Sequence, residues 1–127
     1  MTGVVSDNRA YLVLPLSGSG GQGNIEFVID TGFTGVTTLP PAFCAALALP
    51  LARYQPSLLA DSTSVLLEVY IATLHWDDKD REVEVLSLEG APLIGTTLLK
   101  GYDLRLEIVD GGIVTIERTQ QENLAIG

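Results

Sequence analysis

The stretch Phe27-Val28-Ile29-Asp30-Thr31-Gly32-Phe33-Thr34-Gly35 decides how this chain is read. An apolar run delivers an aspartate, and a small hydroxyl residue and a glycine follow at once. Such a run reads as a strand, and a strand end presents its last side chain to the cleft that neighbouring loops make. Glycine at position 32 lets the backbone turn sharply, with its N–H aimed back at the carboxylate. Alone, Asp-Thr-Gly is a common turn between two strands. The flanks raise its weight. Apolar residues precede it directly, and a second apolar-apolar-glycine element, Leu93-Ile94-Gly95, lies further along, before a helix candidate.

Outward from this stretch the pattern is mostly period two. Ala10–Leu16 and Ile25–Ile29 read as strands. The glycines at 18, 20, 21 and 23 predict a flexible loop over 17–24 between them. Val36–Leu39 is β-branched and strand-like. Pro40-Pro41 opens a small-residue segment to Leu47 that favours a short helix. Val65–Leu74 predicts a long strand, His75–Arg81 a polar turn and Glu82–Leu86 the returning strand. Thr96–Lys100 predicts a short helix that begins on a threonine cap and stops at Gly101. Leu104–Val109, a turn at Asp110–Gly112, and Ile113–Glu117 predict a last hairpin. The expected class is all-β with one or two short helices. Each half carries a hairpin, a glycine-ended apolar strand and a helix, a faint internal echo.

Composition narrows the function. The chain has 127 residues, 16 acidic against 7 basic, for a net charge of −9. That length predicts a single domain over 1–127. The acidic balance argues against nucleic-acid binding, because little here would neutralise phosphates. No apolar run is long enough for a membrane span. The N-terminus lacks a basic start with an apolar stretch after it, so a cytoplasmic location is expected. The single cysteine, Cys44, excludes an intrachain disulfide and a cysteine zinc cluster. The single histidine, His75, leaves little room for a Ser-His-Asp triad. No metal and no cofactor are expected. Trp76 reads as hairpin packing, and Asp77–Asp80 as a solvated turn. Asp30-x-Gly32-x-Thr34 also fits the phosphate loop of actin-type and sugar-kinase ATPases. Those enzymes need two large domains that a chain of this length cannot supply.

The ordered set of motifs resembles the retroviral-type (retropepsin-like) aspartic proteases and their short bacterial relatives. That family carries hydrophobic-hydrophobic-Asp-Thr/Ser-Gly, a flap hairpin, and hydrophobic-hydrophobic-Gly leading into a helix. Here these are Val28-Ile29-Asp30-Thr31-Gly32, the region 58–69, and Leu93-Ile94-Gly95 before Thr96–Leu99. The resemblance implies a closed, barrel-like acid protease fold and a homodimer acting on a peptide or protein substrate. Asp30 and its symmetry copy would share a proton and activate a water for peptide hydrolysis. Thr31 would brace the loop against the partner, Gly32 would hold the carboxylate, and Leu93, Ile94 and Gly95 would pass beneath the loop. Phe33, Thr34, Val36 and the flap tip Ala60, Asp61, Ser62 and Thr63 are the expected substrate walls. The tail 119–127, with Leu124 and Ile126 in alternation, is the expected dimer element. Three positions depart from the family: Phe33 follows Asp-Thr-Gly, Thr96-Thr97 replace a viral Arg-Asn or Arg-Asp pair, and the flap tip has no glycine. They support an alternative reading, a catalytically silent dimer of this fold that grips a peptide or protein.

Overall fold

The structure is a computed structural model, and it describes residues 1–58 and 60–120. Strand β1 (Thr2–Ser6) turns through Asp7 and Asn8 into β2 (Arg9–Gly18). Both turn residues have left-handed φ, 50° and 61°, the combination that matches the twist of paired strands. In β2, Ala10, Leu12, Leu14 and Leu16 are buried while Val13 between them is 55% exposed, the alternation of a strand with one face on the core. Strand β3 (Gly21–Ile29) returns along β2, and β4 (Thr37–Leu39) follows the Asp30 loop. Helix α1 (Pro41–Ala46) starts on its proline and buries Cys44. Strands β5 (Leu51–Leu58), β6 (Ser64–Trp76) and β7 (Lys79–Ser87) form a meander. Short β8 (Leu93–Ile94) leads into α2 (Thr96–Leu99), and β9 (Tyr102–Leu106) pairs with β10 (Ile113–Arg118).

The strands join in the order β5-β6-β7-β4-β8-β3-β2-β1-β10-β9, and an added β6–β2 pairing closes the middle of this series into a ring. Strand β5 extends the ring at one point, and β1, β10 and β9 extend it at another. The core fills the ring: Phe27, Leu16, Leu39, Leu74 and Ile94 are fully buried. The halves pair crosswise. The first half's β4 runs parallel to β7 and antiparallel to β8, and the second half's β8 runs parallel to β3. Exchanging β1 with β5, β2 with β6, β3 with β7 and β4 with β8 leaves the pairings among these eight strands unchanged. The internal echo of the sequence is therefore a property of the topology.

Several local expectations are corrected. Residues 17–24 are not a flexible loop: β2 and β3 stay paired as far as Gly18 and Gly21, leaving only Ser19-Gly20 as the turn. Gly18 and Gly20 are needed because the end of α1 packs on them. A Cβ on Gly18 would lie 2.4 Å from the Leu47 carbonyl oxygen, and the Gly20 N–H donates to that oxygen at 2.9 Å. The turn expected over His75–Arg81 is only Asp77-Asp78, again with left-handed φ. Helix α2 is capped by Gly95 and not by Thr96, whose hydroxyl points to the Asp30 loop. Strand β9 stops at Leu106, short of the expected Val109, and Asp110 accepts the Asp7 N–H at 2.9 Å. Strands β1 and β5 had no expectation attached to them. Of the expected tail element 119–127, residues 121–127 with Leu124 and Ile126 lie outside the described residues, and so does Leu59.

Candidate active site

Asp30 ends β3 in a position set by β8. The parallel register matches Val28 with Leu93 and Ile29 with Ile94, and the Asp30 N–H donates to the Ile94 carbonyl at 2.9 Å. Beyond Asp30 the chain reverses. The Phe33 N–H donates to the Asp30 carbonyl at 3.1 Å, and the Gly32 N–H donates to Asp30 Oδ1 at 2.9 Å. The carboxylate is thereby fixed at the surface in an Asx turn, half-buried, with Thr31 and Gly32 exposed beside it.

The loop then rests on the start of α2. The N–H groups of Thr96 and Thr97 donate to the Phe33 and Gly35 carbonyls at 2.9 and 3.1 Å. The Thr97 hydroxyl also donates to the Thr34 carbonyl. Gly95 N–H donates to the Val36 carbonyl at 2.9 Å. A Cβ on Gly95 would stand 2.3 Å from the Gly35 oxygen and 2.6 Å from Phe33 Cδ2, so only glycine fits. The same ring lies over Gly35, with Phe33 Cζ 2.5 Å from the position a Cβ would take. The aromatic ring thus lies across two glycines. Thr96 and Thr97 fasten the loop from within the chain.

The structure brings Phe33 and Val36 together in a cavity of about 230 Å³ between the loop and the hairpin β5–β6. Its other walls include Arg53 and Gln55 of β5, Val69 of β6, and Glu84 and Leu86 of β7. Arg53 and Glu84 form an ion pair at 2.6 Å. Sequence reading missed these residues: Arg53 and Gln55 belong to a strand that it did not assign, and Glu84 reads only as part of the returning strand Glu82–Leu86. Thr34, Ala60, Asp61, Ser62 and Thr63 do not line this cavity. The last four sit exposed at the flap tip, where Asp61 Oδ1 accepts the Thr63 N–H at 3.0 Å in an Asx turn. Hydrogen bonds from Thr63 hold the Asp61 carboxyl below the usual carboxylate range. A broader hollow of about 360 Å³, lined by Pro15, Ser17, Gln22, Thr73, His75 and Asp80, shares no wall with the first. His75 Nδ1 is 2.9 Å from Asp80 Oδ1 there.

No protein-family model matches the chain, and no curated protein is significantly similar to it. Solved structures are similar. One is a retropepsin-like aspartic protease from Rickettsia conorii, at a TM-score of 0.57 and 14% identity over 92% of this chain and 90% of that one. Another is EIAV protease complexed with the inhibitor HBY-793, at a TM-score of 0.55 and 13% identity over 74% of this chain and 88% of that one. Strands take 59% of the structure and helices 9%, and the fold is retropepsin-like. No described helix is long and apolar enough to cross a membrane.

Proposed function

We propose that this chain is a single-domain aspartic endopeptidase that works as a homodimer. The observation that carries the reading is the seat of Asp30. Its carboxylate ends β3 at the surface, oriented by Gly32, on a loop that β8 and α2 hold from below. Two such carboxylates facing each other across a two-fold axis cannot both ionise cheaply, so they share a proton. One takes a proton from a bound water as it attacks the peptide carbonyl, and the other donates to the carbonyl oxygen. Thr31, whose hydroxyl bonds to nothing among the described residues, is free to brace the partner's loop. Leu93, Ile94 and Gly95 serve as supports and do no chemistry. A peptide laid under the flap would meet Phe33 and the Arg53–Glu84 side of the cavity.

The test is a peptide-library digest with wild type and Asp30→Asn, between about pH 3 and pH 7. Cleavage by wild type that vanishes in the variant is the expected result. Equally blank digests, with no binding of a pepstatin-type inhibitor, overturn the peptidase reading and leave a binding module on the same fold.

A further inference from the structure

Seven lysine and arginine side chains are all that this acidic chain has, and three of them, Arg81, Lys100 and Arg118, border one cleft of about 180 Å³. They arrive there from three segments. Val83 and Val85 are buried on the core-facing side of β7, and Arg81, two residues before Val83, extends that side to an exposed position. Lys100 closes α2, and Gly101, with a φ of 88°, turns the chain into β9. Tyr102 and Arg118 are cross-strand partners in the β9–β10 ladder and so share a face. Their neighbours Asp103 and Glu117 pair on the opposite face.

Like charges gathered in this way repel one another unless something answers them. Asp77 answers one. Its Oδ2 accepts Arg118 Nε and the Tyr102 hydroxyl, both at 2.9 Å. Contact through Nε leaves the terminal N–H groups of Arg118 for another acceptor. Arg81 and Lys100 make no ion pair among the described residues, and no described wall of the cleft is a carboxylate. Three cations against one carboxylate leave an excess of two positive charges, in a protein whose net charge is −9.

We propose that this cleft binds a phosphoryl dianion, held by Arg81, Lys100 and the terminal N–H groups of Arg118. A phosphoryl group carries about −1.5 to −2 charges near neutral pH and three acceptor oxygens, which match the excess charge and the three separate donors. A carboxylate brings one charge and two oxygens, enough for a single arginine fork. The cleft shares no wall with the Phe33 cavity, so the site stands apart from the Asp30 chemistry.

Calorimetry and thermal unfolding near about pH 8, where the group is ionised, test the site. Trp76 reports the unfolding by fluorescence, its ring 5.5 Å from that of Tyr102. Inorganic phosphate is expected to bind with a dissociation constant of about 1 mM or below, so that about 10 mM raises Tm by about 4 °C or more over chloride at equal ionic strength. Arg81→Gln and Lys100→Gln each remove a charge without breaking an ion pair among the described residues. Each is expected to weaken phosphate binding about fivefold or more, and the double variant to abolish the Tm shift, with circular dichroism confirming the fold. A phosphoserine peptide and its unphosphorylated form, run in parallel, separate two sources of the group. A shift with the phosphopeptide alone, with or without one from phosphate, assigns a phosphorylated partner. A shift with phosphate only assigns a free anion. A rise in Tm that chloride reproduces, a response unchanged in the double variant, or no binding of either phosphate or phosphopeptide overturns the inference.

Discussion

Gly95→Ala presses directly on the contact that seats the Asp30 loop. The new Cβ would lie 2.3 Å from the Gly35 oxygen, 2.6 Å from Phe33 Cδ2 and 2.7 Å from the Phe33 oxygen. Two of these three neighbours are backbone carbonyls that accept the Thr96 and Thr97 N–H groups, so no side-chain rotation relieves the clash. The loop and the start of α2 must separate by about 1 Å to reach ordinary van der Waals distance. Overpacking of this kind costs about 1–3 kcal/mol, and stretching two hydrogen bonds adds about 1 kcal/mol each. The sum, roughly 3–5 kcal/mol, is a large share of the stability of a chain this size. At roughly 3–6 °C per kcal/mol, Tm should fall by at least about 10 °C. Trp76, the single tryptophan and 2% exposed, reports the transition by fluorescence. Gly23→Ala is the control, since its nearest neighbour would be Ile25 Cδ1 at 3.9 Å, and it should stay within about 0.5 kcal/mol of wild type. Phe33→Ala added to Gly95→Ala should recover only a minor part, because the carbonyl contacts remain. A Gly95→Ala protein whose Tm lies within about 3 °C of wild type would refute the reasoning.

Other outcomes follow from single contacts. Thr97→Val removes the hydroxyl bonded to the Thr34 carbonyl and should cost about 1 kcal/mol in urea unfolding, with a larger loss in any peptidase activity than in stability. The Asp77 carboxyl is held below the usual carboxylate range by Arg118 first and by Tyr102 second. Its contribution is therefore present above the ordinary carboxylate pKa and lost as pH falls through the lowered value. Asp77→Asn should lower Tm at neutral pH, and the gap to wild type should close below about pH 4. Burial pushes the Cys44 thiol up, so Ellman's reagent should leave the native protein unlabelled and titrate one thiol in denaturant.

The sequence carried the fold class because its strongest signals are local. Alternation in Ala10–Leu16 and Glu82–Leu86, the prolines before α1 and the glycines after β8 each act over a few residues. It misjudged what depends on remote neighbours. Glycines 18 and 20 look like flexibility until the end of α1 is seen packed on them. Thr96 looks like a cap until Phe33 competes for its hydroxyl. Asp110–Gly112 reads as a hairpin turn, but the Asp110 carboxylate is taken by the Asp7 N–H across 103 residues of chain. Strand β5 escaped because Pro56 and its many exposed positions break the usual strand pattern. The Asp30 motif was legible as an isolated string. Its underpinning by Thr97 and the Arg53–Glu84 wall were not, since both join segments far apart in the chain.

The crosswise pairing of the halves constrains how this protein comes to fold at all. Strand β4 finds no partner in its own half, and neither does β8; each is completed only by strands of the other. A nascent first half therefore has no way to close its ring before the second arrives. Folding must bring distant segments together before most of the stabilisation is gained, which predicts slow, all-or-none kinetics on the millisecond-to-second scale. Two fragments cut between Ala48 and Leu51 should each stay unfolded, and should gain structure only when mixed.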